Sequence, residues 1–166
     1  MTVTDGEIAL ATRDDIAGIL SLQERNLAKT GGALSVPFSA DWFETAIAEA
    51  QVIVARKCGQ VVGYLVFSSF AAQAHVPLVQ EMLKAYPGTP GAYNYGPVCV
   101  AESERGRGLA AAMFAALKAR LPGRQGIAFI RRDNAASRLA HEKMGMQEVA
   151  EFTLGGAAFA VLSYNG

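Results

Sequence analysis

Glycines and arginines alternate in the segment RGRGLA, residues 105–110, between a predicted strand and a predicted helix. Glycines at such a turn let the backbone approach a bulky anion, and the first N–H groups of a helix have no acceptor within the helix. The guanidinium groups of Arg105 and Arg107 can pair with phosphate oxygens. The segment therefore predicts a site for a phosphate-bearing ligand. The alternative is a glycine-rich turn that only begins a helix.

Basic charge is concentrated around the same segment. The whole chain balances 15 Lys and Arg against 15 Asp and Glu, yet residues 105–138 carry a net charge of +7 and the remainder −7. The single acid in this window is Asp133, and its basic residues are Arg105, Arg107, Lys118, Arg120, Arg124, Arg131, Arg132 and Arg138. Charge runs are usually solvated surface, but the glycines within this window favour an anion site.

Two kinds of cofactor fit this pattern. Gly106, Gly108 and Ala111 match the G-x-G-x-x-G/A dinucleotide fingerprint, and Asp133 follows the next predicted strand. However, the first glycine of that fingerprint should follow the strand almost directly, and here residues 101–105 lie between Val100 and Gly106. The first half of the chain also supplies a hairpin where a dinucleotide-binding fold needs further βαβ units. A P-loop is excluded, because no Lys-Ser/Thr pair follows the glycines. The second candidate is the pyrophosphate of coenzyme A.

The elements that must position this segment follow the order β-α-α-β-β-α-β-α-β-α-β-β. The clearest strands are the hairpin within residues 52–67 and the strand Tyr93–Val100, directly before the glycine turn. In the helix after the turn an apolar residue recurs every four positions: Leu109, Met113, Leu117 and Leu121. This order predicts a mixed α/β, α+β-like fold, with six or seven strands in a central sheet and about four to five flanking helices. No linker is evident, so residues 1–166 are predicted to form a single domain.

Several classes of protein are disfavoured by composition. Balanced charge argues against a dedicated nucleic-acid binder or a membrane-surface protein, and no apolar run approaches the roughly 18 residues of a membrane span. The N-terminus is polar and lacks a secretory signal. Cys58 and Cys99 form no CxxC pair and are predicted to be reduced thiols. We therefore expect a cytoplasmic protein that binds no metal, nucleic acid or membrane.

Four segments resemble, in order, motifs of the GCN5-related N-acetyltransferase (GNAT) superfamily. Residues 105–110 resemble motif A, [Q/R]-x-x-G-x-[G/A]. The segment IALATRDD, residues 8–15, resembles the opening strand and helix start, and VARKCGQVVG, residues 54–63, resembles the β2–β3 hairpin. NAAS and HEKMGM, residues 134–137 and 141–146, resemble the late N-x-x-S…Y-E-K-L-G-F segment. The H-E-K-x-G form is similar to that of phosphinothricin-type acetyltransferases, and the resemblance covers nearly the whole chain.

The resemblance implies an acetyl-CoA-dependent N-acetyltransferase. It would move an acetyl group directly to a primary amine of a small molecule or amino acid in a ternary complex, and it is compatible with a homodimer. The implied cofactor-binding residues are Val98 and Val100, which would pair with the pantetheine arm, Arg105, Gly106, Arg107, Gly108, Leu109 and Ala110, which would hold the pyrophosphate, and Asn134 and Ser137 near the pantetheine. For Asn134, a plain helix N-cap is the alternative.

One position departs from the family pattern. Where the family often has a tyrosine as general acid for the departing thiolate, this chain has His141. An imidazolium donates a proton near pH 7, and a neutral imidazole can equally pack and hydrogen-bond. No general base for the amine stands out. Tyr93 and Tyr95 could support a water chain that removes its proton, and the alternative is that both rings belong to the core. Two alternatives therefore stay open: a non-catalytic acyl-CoA sensor and a nicotinamide-dependent oxidoreductase.

The resemblance also locates the acceptor pocket. Its walls would come from residues 29–40, 68–92 and 154–157, which contain aromatic side chains and few acids. This composition predicts a partly aromatic pocket for a small amine. The alternative is that these rings only fill space beneath the loops.

Overall fold

The computed structural model describes residues 6–27, 34 and 37–166. Within these residues it has seven strands and five α-helices, which confirms the predicted element order and mixed α/β class. The elements are β1 Gly6–Leu10, α1 Ile16–Asn26, α2 Ala40–Ala48, β2 Val52–Lys57, β3 Gln60–Ser68, α3 Pro77–Ala85, β4 Tyr93–Val100, α4 Leu109–Arg120, β5 Gln125–Arg131, α5 Ala135–Lys143, β6 Gln147–Leu154 and β7 Ala157–Asn165. The strand order in the sheet is β1-β2-β3-β4-β5-β7-β6.

The chain divides into two compact units. The first comprises the described residues of Met1–Phe67 together with Pro97–Arg120, and the second comprises Ser68–Gly96 with Leu121–Gly166. The boundary between the two units therefore falls within strand β4, between Gly96 and Pro97. The expectation that residues 1–166 form a single domain stays a prediction.

The first unit contains the predicted antiparallel hairpin. Strand β2 pairs with β1 on one side and with β3 on the other, both antiparallel. Helix α4 contacts β1 and β2, and its Met113 and Leu117 are fully buried. Phe43 from α2 is also fully buried and meets the ring of Tyr64 edge to face. The apolar residues four apart in α4 are thus the face that anchors the helix behind the glycine turn.

The second unit contains the predicted parallel pairing. Strand β4 pairs with β5 in parallel through Tyr93↔Gly126 and Asn94↔Ile127, and β7 pairs antiparallel with both β5 and β6. Gly126 allows a close approach, because a Cβ at this position would lie within 3 Å of three atoms of the Tyr164 phenol. The ring of Tyr164 therefore lies over β5 where any larger residue would displace it.

A partly buried ion pair joins Asp15, the N-cap residue of α1, to Arg56 of β2 in the first unit. Arg56 donates from Nε to Oδ1 of Asp15 at 2.9 Å and from Nη2 to Oδ2 at 2.7 Å. The backbone N–H of Thr12 donates to Asp15 Oδ2 at 2.7 Å, as part of a capping box before α1. The Arg56 guanidinium is the main reason that the pKa of Asp15 lies below its usual range, and burial opposes it.

We expect acid to destabilise the protein through this pair. Because the pKa of Asp15 is lowered in the folded state, its contribution to the free energy of unfolding is present above the unfolded pKa and is lost as pH falls through the folded value. Urea denaturation from about pH 6 to about pH 3 should show this loss. Asp15→Asn should reduce the fall of the free energy of unfolding on the acid side of this range (the acid limb). Glu44→Gln, which removes an exposed ion pair with Arg13, should leave the acid limb unchanged. An unchanged acid limb in Asp15→Asn would contradict the assignment.

Candidate functional site

The glycine turn before α4 forms an open backbone cradle. Gly106 and Gly108 adopt left-handed φ angles of +78° and +81°, which glycine tolerates and other residues rarely adopt. A Cβ built on either glycine meets no atom within 4 Å. The space outside this stretch of backbone is therefore free for a bulky group, as the sequence predicts for an anion-binding turn.

Unpaired backbone donors border this cradle. The hydrogen bond from Ala112 N to Gly108 O, at 2.9 Å, is the first that α4 makes with the turn. The N–H groups of residues 109–111 precede it and have no acceptor within the helix. Together with the positive end of the helix dipole, they favour a negatively charged ligand. The cradle thus fits the pyrophosphate of coenzyme A.

The two arginines of the turn have different surroundings. The Arg107 side chain is 63% exposed and reaches Glu104 at 3.8 Å, so it is available to an anion. Arg105 donates from Nη2 to Oδ1 of Asn26 at 2.6 Å and from Nε to the Val100 carbonyl oxygen at 3.3 Å. Its guanidinium is therefore engaged within the protein. The sequence did not single out Asn26, because nothing at the end of α1 indicates a partner 79 residues away.

The other arginines of the basic window include four that belong to the second unit and have partners there. Arg124 lies over the Tyr93 ring, and Arg131 pairs with Asp133. Arg132 pairs with two glutamates of β6, and Arg138 donates to the Arg132 carbonyl oxygen. Many of the positive charges in this window are thus engaged by neighbouring groups. The charge argument for an anion site therefore applies only to the glycine turn itself.

Val98 and Val100 lie on the half of β4 that belongs to the first unit. Both are half-buried, and Cys99 between them is buried. The β4–β5 ladder consists of the pairs at Tyr93 and Asn94, so it ends before both valines. The backbone of both valines therefore lies outside this ladder, and the resemblance expects it to pair with an extended ligand.

A backbone irregularity marks the end of that ladder. Gly96 has φ +112° within the strand, and Pro97 after it has no N–H to donate. The buried Gln73 side chain holds the irregularity: its Nε2 donates to Ser68 Oγ at 2.9 Å and to the Gly96 carbonyl oxygen at 3.3 Å. The Gly-Pro pair inside a predicted strand was a signal for this feature.

In the second unit, His141 is 4% exposed and hydrogen-bonded through both ring nitrogens. Its Nδ1 lies 2.8 Å from the Ser137 carbonyl oxygen, which can only accept, so Nδ1 carries the proton and donates. In the neutral ring Nε2 is then the acceptor, and the Tyr95 hydroxyl, 3.0 Å away, donates to it. Ser137 N donates to Asn134 Oδ1 at 3.2 Å, so Asn134 caps α5 as the alternative interpretation expects.

Burial determines the protonation of this pair. It lowers the pKa of His141 below the usual histidine value, although the Ser137 carbonyl opposes the shift, and it raises the pKa of Tyr95. At neutral pH the imidazole is therefore uncharged, with an unprotonated Nε2. This resting arrangement favours the packing alternative at His141, and a general-acid role stays a prediction.

The remaining reactive groups do not extend the site. Burial raises the pKa of the Cys99 thiol to about 12, so the thiol stays protonated, and Cys58 is exposed; both are free cysteines. Among residues 6–27, 34 and 37–166, no three potential metal ligands come together. Across the same residues, no helix combines the length and apolar character needed to cross a bilayer.

The predicted acceptor segments are described in part. Residues 29–33 and 35–36 lie outside the described residues. In the first unit Phe38 is buried and stacks on Trp42 at a centroid distance of 3.9 Å. In the second unit Tyr93, which directly follows the segment 68–92, is buried and meets Tyr164 edge to face. Phe38 and Tyr93 thus fill space beneath the surface, which favours the alternative interpretation for these two rings.

Comparison with known proteins gives one family and many similar folds. The model of the acetyltransferase (GNAT) family matches residues 16–146. An N-acetyltransferase from Staphylococcus aureus Mu50 is 22% identical, with a TM-score of 0.71 over 98% of this chain and 99% of that one. The yncA protein of Salmonella typhimurium, whose structure includes its cofactor acetyl-CoA, is 20% identical, with a TM-score of 0.71 over 98% and 94%.

A third structure has a named protein acceptor. The ribosomal-protein-alanine N-acetyltransferase from Brucella melitensis is 22% identical, with a TM-score of 0.69 over 96% of this chain and 99% of that one. Comparison with curated proteins gives no match. Because each of these three structures is less than 25% identical to this chain, they show a similar fold and nothing further.

Proposed function

Because the chain belongs to the acetyltransferase (GNAT) family, we propose that it is an N-acetyltransferase that moves the acetyl group of acetyl-CoA directly to a primary amine of a small molecule or amino acid. The observation that carries this proposal is the open cradle at Gly106 and Gly108. The first N–H groups of α4, which have no acceptor within the helix, lie beside it. An anion held there would meet donors already in place before it binds.

Each predicted cofactor-binding residue has a role in this proposal. Acetyl-CoA supplies an acetyl group activated as a thioester. The backbone of residues 106–110 and the side chain of Arg107 bind the pyrophosphate, and Arg105 supports the turn through its contacts with Asn26 and Val100. The backbone of Val98 and Val100 pairs with the pantetheine arm. For Asn134 and Ser137, contact with the pantetheine is what the family resemblance implies.

His141 assists the reaction in this proposal and is not indispensable for it. Its neutral ring orients the Tyr95 hydroxyl by accepting its proton in a hydrogen bond. A thiolate is a stable leaving group, so little help from an acid is needed. The likeness of the H-E-K-x-G segment to phosphinothricin-type acetyltransferases supports a small amine as acceptor. We propose in addition that the enzyme is cytoplasmic and requires no metal.

A titration distinguishes this proposal from the oxidoreductase alternative. Calorimetry should show saturable binding of acetyl-CoA and none of NAD. The affinity for acetyl-CoA should fall as salt is raised, because Arg107 and the positive end of α4 are charge partners of an anion. Binding of NAD in place of acetyl-CoA would overturn the proposed cofactor.

Turnover distinguishes an enzyme from an acyl-CoA sensor and identifies the acceptor. The release of free thiol from acetyl-CoA should be measured with amino acids, small primary amines and a peptide that begins with alanine, the last because of the Brucella melitensis protein. We expect thiol release that depends on a small amine. Release with the peptide alone would move the acceptor to proteins, and acetyl-CoA binding without release for any amine would favour the sensor.

A further inference from the structure

We propose that Asn26 is a positioning residue for the donor site: it holds Arg105 so that the cradle keeps the shape that binds the pyrophosphate of acetyl-CoA. The inference rests on the proposed function and assigns different tasks to the two arginines of the turn. Arg105 supports the cradle through its hydrogen bonds to Asn26 and Val100, and Arg107 contacts the anion.

Asn26 is a buried junction within the first unit. Its Nδ2 donates to the Leu22 carbonyl oxygen at 2.8 Å, which fixes the orientation of the amide on the last turn of α1. The side-chain oxygen then faces Arg105 Nη2 at 2.6 Å. The backbone oxygen accepts from Leu34 N at 2.9 Å. One residue thus ties the end of α1 to Leu34 and to the glycine turn.

Arg105 transmits this tie to the turn. Its Nε donates to the carbonyl oxygen of Val100, the last residue of β4, at 3.3 Å. The guanidinium is therefore held at two points, by Val100 at the end of β4 and by Asn26 at the end of α1. Since Arg105 precedes Gly106 directly, a change in its position moves the cradle backbone.

The loss of this support should weaken acetyl-CoA binding. Asn26→Ala leaves Arg105 Nη2 without its partner, and a hydrogen bond of a charged group is typically worth about tenfold or more in an equilibrium constant. We expect the dissociation constant of acetyl-CoA to rise about 10-fold, with kcat at saturating acetyl-CoA changed little. Asn26→Asp keeps an acceptor for Arg105 and should retain most of the affinity.

Gln23 offers a matched control on the same face of α1. It is a buried amide like Asn26, but it clamps the backbone of Phe38: its Nε2 donates to Phe38 O and its Oε1 accepts from Phe38 N, both at 2.9 Å. Gln23→Ala should cost comparable stability in thermal unfolding while the acetyl-CoA affinity stays unchanged. An equal loss of affinity in both variants would mean a general loosening of α1 and would overturn the inference.

A shortened donor tests whether the effect passes through the pyrophosphate. Acetylpantetheine carries the thioester without the pyrophosphate, so Asn26→Ala should raise KM for acetyl-CoA about 10-fold and leave KM for acetylpantetheine unchanged. A merely destabilised protein would lose activity with both donors.

Arg105→Gln removes the same hydrogen bond from its other partner and covers the case in which Asn26→Ala does not fold, because Arg105 is exposed. It should raise the dissociation constant of acetyl-CoA about 10-fold, and an unchanged affinity would overturn the inference. Where Asn26→Ala folds, the two substitutions are also combined. If Arg105 acts through Asn26, the double variant should bind acetyl-CoA no more weakly than either single variant. Fully additive losses would assign Arg105 a direct phosphate contact and overturn the inference. No acetyl-CoA binding by the wild-type protein would overturn the proposed function with it, whereas normal binding by Asn26→Ala overturns this inference alone.

Discussion

Gly108→Val should weaken acetyl-CoA binding by roughly 100-fold or more, which corresponds to about 2.7 kcal/mol. Gly108 has φ +81°, and a Cβ at this position would point into open space beside the unpaired N–H groups of α4. A valine side chain would fill the cradle where the pyrophosphate is proposed to lie. Calorimetric titration of the folded variant with acetyl-CoA measures the loss.

Gly59→Val separates this steric effect from backbone strain. Gly59, in the β2–β3 turn of the same unit, has φ +78° and equally open surroundings. The two variants therefore carry similar left-handed strain, of about 1–2 kcal/mol. We expect similar losses in Tm, with acetyl-CoA affinity lost only in Gly108→Val. A folded Gly108→Val that binds like the wild type would refute the assignment of the cradle.

His141→Phe should lower kcat by roughly 10- to 100-fold and leave the affinity for acetyl-CoA nearly unchanged. The substitution removes the acceptor of the Tyr95 hydroxyl and leaves that buried group without this partner. Transfer should continue, because positioning the amine against the acyl carbon supplies much of the rate. Leu139→Ala, an exposed position of the same helix, is the control and should keep full activity.

The pH profile separates the two roles left open for His141. Because burial lowers its pKa below the usual histidine value, the ring should be neutral across about pH 7–9, and the profiles of wild type and His141→Phe should be parallel there. A wild-type decline with rising pH that disappears in the variant would identify His141 as the acid. Equal rates of both proteins over this range would reduce His141 to packing.

The order of the elements could be predicted because local patterns encode it. The hairpin around Gly59 and the four-residue spacing of Met113 and Leu117 each act within a few residues. The ends of the elements are less local: α4 ends at Arg120, before Leu121, which continues the same spacing, and β5 covers Gln125–Arg131. Pairing with β7 extends β5, and no local pattern contains that information.

The contacts of the site residues could not be predicted in the same way. The sequence assigns both Arg105 and Arg107 to the pyrophosphate, and only the fold brings Asn26 to one of them. The tautomer of His141 depends on a carbonyl of its own helix and on Tyr95, which is 46 residues distant. The resemblance identified which positions matter, and the packing around each side chain determines what it can do.

The central claim is that this chain transfers an acetyl group from acetyl-CoA to an amine. The most direct test follows thiol release and acetylated amine together, with the best acceptor of the panel. We predict that thiol and acetylated amine form in equal amounts, at similar rates in the wild-type protein and Gly59→Val. In Gly108→Val both should form far more slowly when acetyl-CoA is near the wild-type KM. Thiol release without acetylated amine, or equal turnover by Gly108→Val, would contradict the claim.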